Sequence, residues 1–490
     1  MNMNELLKKR LKLFGFAIII TLSCNYFANA RQLTLNDAID IAIQNNVDIK
    51  IALMEIKKAN ARVDEAYGYA MPTVDLSANF LHYLKKPQIP FIDFQSLLTY
   101  STLMTMSHTG VLIPNPNGGE PIPFHYDQPY KEKYSLMSMA LANSYEAKLS
   151  VSQVLFNSAV LKGIGASHIY LNLSQEALHA NVAKTVTNVS KAFYGVLLTQ
   201  KMLEIMKESL ANAEQNLKNV RAYNQQGIVS EFDLLRAEVQ VENLKPMVIQ
   251  LENTLSGTKD GLKIAMGLAQ SEDIDVIGDI VYEKANLASE NELVEKAMQK
   301  NFDLRTFEVK RQIDKEMIEL DKAGYWPTIA AFGSYSFNGQ SDNFDFMKYN
   351  TGIVGVNFSI NLFNGLKTNE KVQQSTIASL QSNEQYEQLK EVINSQIKSK
   401  LLNIKKVETQ IDIHEKTISL AQKAYDIANI KYREGTGTQL DIQNAEVALR
   451  QAKTNKLQAV FDYISALLEI NQLTGEVNTK EIVQNKLKMK

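Results

Sequence analysis

Between Asn364 and Gly435 the chain runs for about 70 residues with no proline and, after Gly365, no glycine. Gln, Glu, Lys, Ile, Leu and Ala dominate the stretch, and all of them are tolerated or favoured in helices. Leu389, Ile393, Ile397, Leu401, Ile404, Val407 and Ile411 recur at steps of three and four, which mark one helical face. A single helix of that length is about 100 Å long at 1.5 Å per residue. Ordinary globular helices are far shorter, so the run indicates a coiled coil, a repeat or a span between compartments.

The stretch occurs twice. Leu155-Phe156-Asn157 opens one copy and Gly227 closes it; Leu362-Phe363-Asn364 opens the other and Gly435 closes it. A second correspondence lies further upstream. Residues 36–80 align without a gap on 291–335, so that Asn36, Ala42, Gln44, Asn46 and Asp48 recur as Asn291, Ala297, Gln299, Asn301 and Asp303. Internal repetition overrides the prior of about three compact domains for 490 residues.

The first repeat is expected over 31–270. It contains a helix over 34–70 (N-capped by Thr34 with Asp37 three residues on), two strands around a loop at 81–143, a long helix over 158–226 and a helix over 230–268. Pro72 is expected to stop the first helix, and Pro246 to bend the last. The loop holds seven of the chain's ten prolines. Residues 271–290 link the halves. The second repeat, 291–473, has the same order, with a short polar loop at about 338–350, a long helix over 365–434 and a helix over 438–473; residues 474–490 are a tail.

The N-terminus reads as an export signal over 1–30. Lys8, Lys9, Arg10 and Lys12 precede an apolar run from Leu13 to Cys24, and Ala28-Asn29-Ala30 is a small-residue cleavage site. Twelve apolar residues are too few to span a bilayer, so a removed segment is preferred to a retained anchor. Cys24 is the only cysteine; Thr21-Leu22-Ser23 before it fits lipoprotein processing poorly. Cleavage after Ala30 leaves no cysteine for disulfides or metal. The six histidines show no metal spacing, and no cofactor, phosphate loop or nucleophile elbow is found, so enzyme chemistry is not expected. A net charge of −2 without a basic stripe argues against nucleic acid.

After Pro72 the period becomes two. Val74, Leu76, Ala78 and Phe80 form an apolar set, as do Ala147, Leu149 and Val151 in the second strand. Ile329, Ala331, Gly333 and Tyr335, then Val354, Val356, Phe358, Ile360 and Leu362, do the same in the second repeat. Alternation of this kind fits a transmembrane barrel or a half-buried soluble sheet. Four strands cannot close a barrel, so two, three or four chains would share one of 8, 12 or 16 strands. The competing reading is a periplasmic or surface coiled-coil scaffold without a pore.

This plan resembles the outer-membrane efflux protein family, the TolC-like channel-tunnels. The resemblance rests on the paired Pro72-Thr73 and Pro327-Thr328 junctions, the two Leu-Phe-Asn marks, and the turns Gly227…Ser230-x-x-Asp233 and Gly435…Thr438-x-x-Asp441; it covers most of 32–473. It implies an α+β membrane protein: a homotrimer whose 12-stranded barrel sits among outer-membrane lipids and continues into a periplasmic helical barrel. It also implies a periplasmic adaptor and an inner-membrane pump of the RND or ABC class as partners.

The resemblance places the two turns at the periplasmic tip, where Asp233, Asp441, Asn444 and Tyr432 would constrict the pore and a ring of carboxylates would favour cations. The local reading is compatible with it: Ser230 and Thr438 are N-caps, Gly227 and Gly435 end the preceding helices, and each aspartate sits at the third helical position. Related chains have a second aspartate where this one has Asn444, and an arginine where it has Gly437. Trp326, beside Pro327, is expected either at the membrane boundary or packed in the junction.

Overall fold

The computed structural model describes residues 31–479 and 482–483. The export signal, Cys24 and most of the tail lie outside the described residues. The chain divides into two units. One takes in residues up to 65, 162–321 and those from 369 on; the other is 66–161 with 322–368.

The helical unit begins with β1 (Arg31–Leu33) and α1 (Leu35–Asn45), followed by the greater part of α2 (Val47–Gly68). Thr34 and Asp37 form the expected capping box. The single helix expected over 34–70 is broken at Asn46, whose ψ of 134° leaves the helical region. The Asn46 side chain restarts the helix: its Oδ1 accepts from the N–H groups of Asp48 (2.9 Å) and Ile49 (3.2 Å). The helix also ends at Gly68, short of Pro72.

The other unit holds β2 (Thr73–His82), β3 (Ile89–Ile92), α3 (Phe94–His108), β4 (Leu112–Ile113), β5 (Ile122–Pro123), β6 (Tyr134–Met137) and β7 (Asn143–Asn157). The expected long loop at 81–143 is therefore a small folded module, with β3 paired to β6 and β4 to β5.

Next come α4 (Ser158–Gln225), α5 (Glu231–Met266) and β8 (Ile274–Val276). The linking segment contributes a strand, since β8 pairs in parallel with β1, itself too short for periodicity to reveal. Helix α5 runs on through Pro246. The second repeat contributes α6 (Glu290–Lys300) and α7 (Phe302–Lys322), broken at Asn301 as the first is at Asn46.

β9 (Thr328–Ser341), β10 (Met347–Ser359), α8 (Lys367–Arg433) and α9 (Gln439–Leu473) complete the chain. Both β9 and β10 are longer than their patterns suggest, which shrinks the loop between them to residues 342–346.

The helical core confirms the spacing argument. Ile393, Ile397, Leu401, Ile404, Val407 and Ile411 are all buried, against Tyr463, Val460 and Ile470 of α9 and Leu198 of α4. A second cluster joins Val189, Phe193 and Val196 of α4 to Leu262 and Met266 of α5, with Leu33, Ala38 and Ile41. Glu469 of α9 binds Lys191 of α4 (2.5 Å) and Lys400 of α8. Burial opposes its ionisation, but the two ammonium groups together hold its carboxyl below the usual range.

The sheet has the order β10-β9-β7-β2, antiparallel throughout. Directly paired residues share a face. The register aligns Leu76, Leu149, Tyr335 and Gly352 in one row, and Val74, Val151, Gly333 and Val354 in the next. The rows of the opposite face hold Asp75, Ser150, Ser334 and Ile353, and Asn79, Glu146, Asn338 and Tyr349. The four apolar sets read from the sequence fall on one face, except that Ile360 and Leu362 lie beyond the end of β10, and a bulge interrupts the pairing between Val154 and Phe156.

Candidate functional site

Each tip of the helical hairpins is built by the same local chemistry. Gly227 (φ 72°) and Gly435 (φ 73°) adopt the left-handed conformation that ends a helix. The N–H of Ile228 reaches the Tyr223 carbonyl at 2.9 Å, and that of Thr436 reaches Lys431 at 2.9 Å. These are matching Schellman closures, and they satisfy carbonyls the helix ends would otherwise leave open.

The next helices start alike but not identically. Thr438 and Asp441 form a full capping box: the Asp441 N–H donates to Thr438 Oγ1 (3.2 Å), and the Thr438 N–H donates to Asp441 Oδ2 (2.9 Å). The Thr438 hydroxyl also donates to Asp441 Oδ2 at 2.6 Å. Hydrogen bonds from the Thr438 hydroxyl and N–H hold the Asp441 carboxyl below its ordinary range, with Lys431 adding to the effect. At the first tip Ser230 accepts from the Asp233 N–H (3.2 Å) and donates its hydroxyl to Asp233 Oδ2 (2.7 Å).

The two tips lie together. Burial raises the Tyr432 phenol, and the charge of Asp233 raises it further. Its hydroxyl is buried without a hydrogen-bond partner among the described residues. Asp441 and Asn444 are exposed, one turn apart on α9. One residue here was missed by sequence reasoning. Gln439, at the first position of α9, is 1% exposed with both amide atoms unpaired among the described residues; a glutamine there reads as surface, and no sequence signal marks it. At Gly437 any Cβ would come within 2.9 Å of Lys431 Cβ and 3.1 Å of the Tyr432 nitrogen, so the turn has no room for a side chain there.

At the junctions, Trp326 takes the extended backbone expected before Pro327 (ψ 149°) and leads into β9, as Pro72 leads into β2. Trp326 is 61% exposed, so it is not packed into the junction of its own chain. The two Leu-Phe-Asn marks differ. Asn157 caps α4 directly, accepting from the Ala159 N–H at 2.9 Å. Asn364 instead precedes a turn in which Gly365 (φ 69°) and Leu366 (φ 63°) are both left-handed, which delays α8 to Lys367.

The apolar face of the sheet is the other candidate surface. Leu76 and Val354 are 78% and 89% exposed, and Val74, Phe80, Tyr335, Phe337, Val356 and Phe358 are also exposed. A half-buried soluble sheet would cover these side chains. Among the described residues no helix is long and apolar enough to cross a membrane, and no group of three or more His, Cys, Asp or Glu is placed to hold a metal.

The profile of the outer membrane efflux protein family matches residues 130–268 and 293–476. Outer membrane protein TolC of Vibrio cholerae is 23% identical over 342 residues, covering 69% of this chain and 78% of the relative. Alkaline protease secretion protein AprF of Pseudomonas aeruginosa is 21% identical, with coverage of 69% and 71%. Among solved structures, the CmeC outer membrane channel of Campylobacter jejuni superposes with a TM-score of 0.68 at 16% identity, covering 92% of this chain and 89% of that one.

Proposed function

This chain belongs to the outer membrane efflux protein family, and we propose that it works as one third of a shared duct. It is an outer-membrane exit channel of an efflux or secretion system, and its family is a family of channels. The trimer, the closed barrel, the partners and the role of the tips are inferred as follows.

One observation carries the reading: an open four-stranded sheet with one continuous exposed apolar face. Strands β2 and β10 each have one edge unpaired, and in hydrocarbon every unpaired backbone group costs several kcal/mol. Pairing β2 of one copy with β10 of the next removes both edges at once, and three copies give the 12 strands that the family fold implies. The apolar band on β9 from Ile329 to Phe337 measures about 27 Å along the strand, or about 21 Å at a tilt near 40°, close to the ~25 Å band of such barrels.

On α8, Ile413, Leu420 and Ile427 are exposed at seven-residue intervals, the spacing of a helix-to-helix seam. It supports docking of neighbouring helices into a periplasmic helical barrel. The family assigns that barrel a periplasmic adaptor and an inner-membrane pump of the RND or ABC class.

Around a three-fold axis Asp233 and Asp441 would supply six carboxylates, with Tyr432 and Asn444 beside them, a ring that favours cations. Capping and constriction use the same side chains, so neither role displaces the other. The first test is the mass of the detergent-extracted protein, expected to be that of a trimer; a monomer would sink the shared barrel. The second is ion selectivity in planar bilayers, which Asp233→Ala with Asp441→Ala should shift away from cations. Unchanged selectivity would leave these aspartates as caps alone.

A further inference from the structure

We propose that segment 84–142 joins its counterparts from two other copies in a helical cap over the outer mouth of the barrel. The proposal rests on the trimeric barrel inferred above. The segment is extra to the repeat. The offset between the two repeats is 255 from Asn46 to Asn301 but 208 from Gly267 to Gly475, so the first repeat carries 47 additional residues. The difference falls between the strands, where β2 and β7 are joined by the module and β9 and β10 by five residues.

The module is folded around little more than one aromatic group, Tyr100 against Tyr126 and Tyr130. None of its described side chains is buried. From Gln88 to Gly119 the one charged side chain is Asp93. It is occupied in starting α3: its Oδ1 accepts from the Gln95 N–H (3.1 Å) and its Oδ2 from the Ser96 hydroxyl (2.6 Å). The hydroxyls of α3 turn back onto their own helix, Thr99 to the Gln95 carbonyl (2.7 Å), Thr102 to Leu98 (2.8 Å) and Thr105 to Ser101 (2.7 Å). A helix with no charged face and with its hydroxyls satisfied internally is suited to burial against other protein or lipid.

Position decides between those two. The root of the module closes where the Tyr83 N–H meets the Ala142 carbonyl at 2.8 Å, at the end of the sheet opposite Pro72 and Pro327. A groove of about 320 Å³ at this root is lined by Tyr83, Ile89, Met139 and Leu141 of the module and its root together with Ser144 and Gln340 of the sheet. Ser144 and Gln340 share a row with Leu81, on the face that carries Asp75 and Asn79. The module therefore leans over the polar face, which a barrel in a membrane turns to its lumen.

Size agrees. Twelve strands about 4.8 Å apart and tilted by about 40° enclose a backbone circle about 24 Å across. Three helices of about 10 Å diameter around one axis occupy about 22 Å. Phe94 and Leu98, exposed one turn apart on α3, are the residues such a cluster would bury.

The test uses the full-length assembly in detergent and in planar bilayers. Leu98→Cys, oxidised with copper phenanthroline, should give crosslinked chain dimers that the parent chain does not. Replacing residues 84–141 by Gly-Gly should raise single-channel conductance about twofold or more, because a hydrophobic constriction is removed. A trimer with neither crosslink nor conductance change overturns the cap and leaves the barrel standing. Quenching by spin-labelled lipid of a bimane attached to the Leu98→Cys variant places the module on the membrane and overturns the cap as well. A monomeric parent chain removes barrel and cap together.

Discussion

Asn46 and Asn301 do the same work with the same atoms, whereas the strand connections at the outer ends of the sheet share neither length nor composition. Each asparagine breaks a helix, restarts it through Oδ1, and donates Nδ2 to the end of a distant helix, Ala265 at 3.0 Å in one repeat and Leu473 at 2.9 Å in the other. Just after each acceptor a glycine passes close to the break: a Cβ on Gly267 would stand 2.5 Å from the Asn45 carbonyl oxygen, and one on Gly475 2.3 Å from that of Lys300. A duplicated backbone contact of this kind leaves no room for drift. The strand ends touch no such lock, and one became a folded module while the other stayed a five-residue turn.

The largest expected effects come from these glycines. Gly267 (φ 74°) and Gly475 (φ 68°) are both left-handed, so Gly267→Ala and Gly475→Ala add backbone strain to a backbone clash. Each should cost about 3 kcal/mol or more. Thermal unfolding followed by circular dichroism checks this. If one variant melts like the parent, the two locks are not equivalent.

A smaller effect sharpens the same comparison. Asn301 is buried, while Asn46 is half-buried. Asn301→Ala should cost about 2–3 kcal/mol and Asn46→Ala about 1–2 kcal/mol, since unpaired N–H groups are harder to leave dry than wet. Equal losses in chemical denaturation would mean that burial does not separate the sites.

Next is the helical core at Glu469. Its carboxyl is held below the usual range, so its contribution is present at neutral pH and disappears as pH falls through the depressed folded value. Glu469→Gln should lower stability at pH 7 and flatten the acid limb of the stability profile. An unchanged limb would show that the two lysines do not depend on this carboxylate.

The locks, tips and stripes are legible in the sequence to different degrees. The Ile393–Ile411 stripe is readable because one helical face packs on one core. The apolar strand sets are readable because pairing preserves a period of two, so the register has only to align them. The breaks at Asn46 and Asn301 are hidden, because asparagine is common at the surface and its cap acts through backbone geometry. Strand β1 is only three residues long, and its partner β8 lies far away in sequence. Gln439 is invisible for a different reason: its burial comes from surroundings that no local pattern encodes. The module at 84–142 reads as loop because its prolines and turn residues outnumber any periodicity.

The smallest effect compares the two tips. Ser230→Ala and Thr438→Ala each remove an N-cap, for about 1 kcal/mol of local stability. Both variants keep the backbone N–H, so the second tip retains the bond that the 438 N–H donates to the Asp441 carboxylate, a bond the first tip does not share. That extra bond is acid-labile. The Asp441 carboxyl is held below its ordinary range, so its help is full above that range and lost as pH falls through the depressed value. Hydrogen-exchange protection of the first turn of α9, taken relative to intrinsic exchange at each pH, should therefore fall on acidification in the parent, and less so in Asp441→Asn. Identical exchange in parent and variant at every pH would reduce the capping box to the Thr438 hydroxyl alone, and make the two tips equivalent after all.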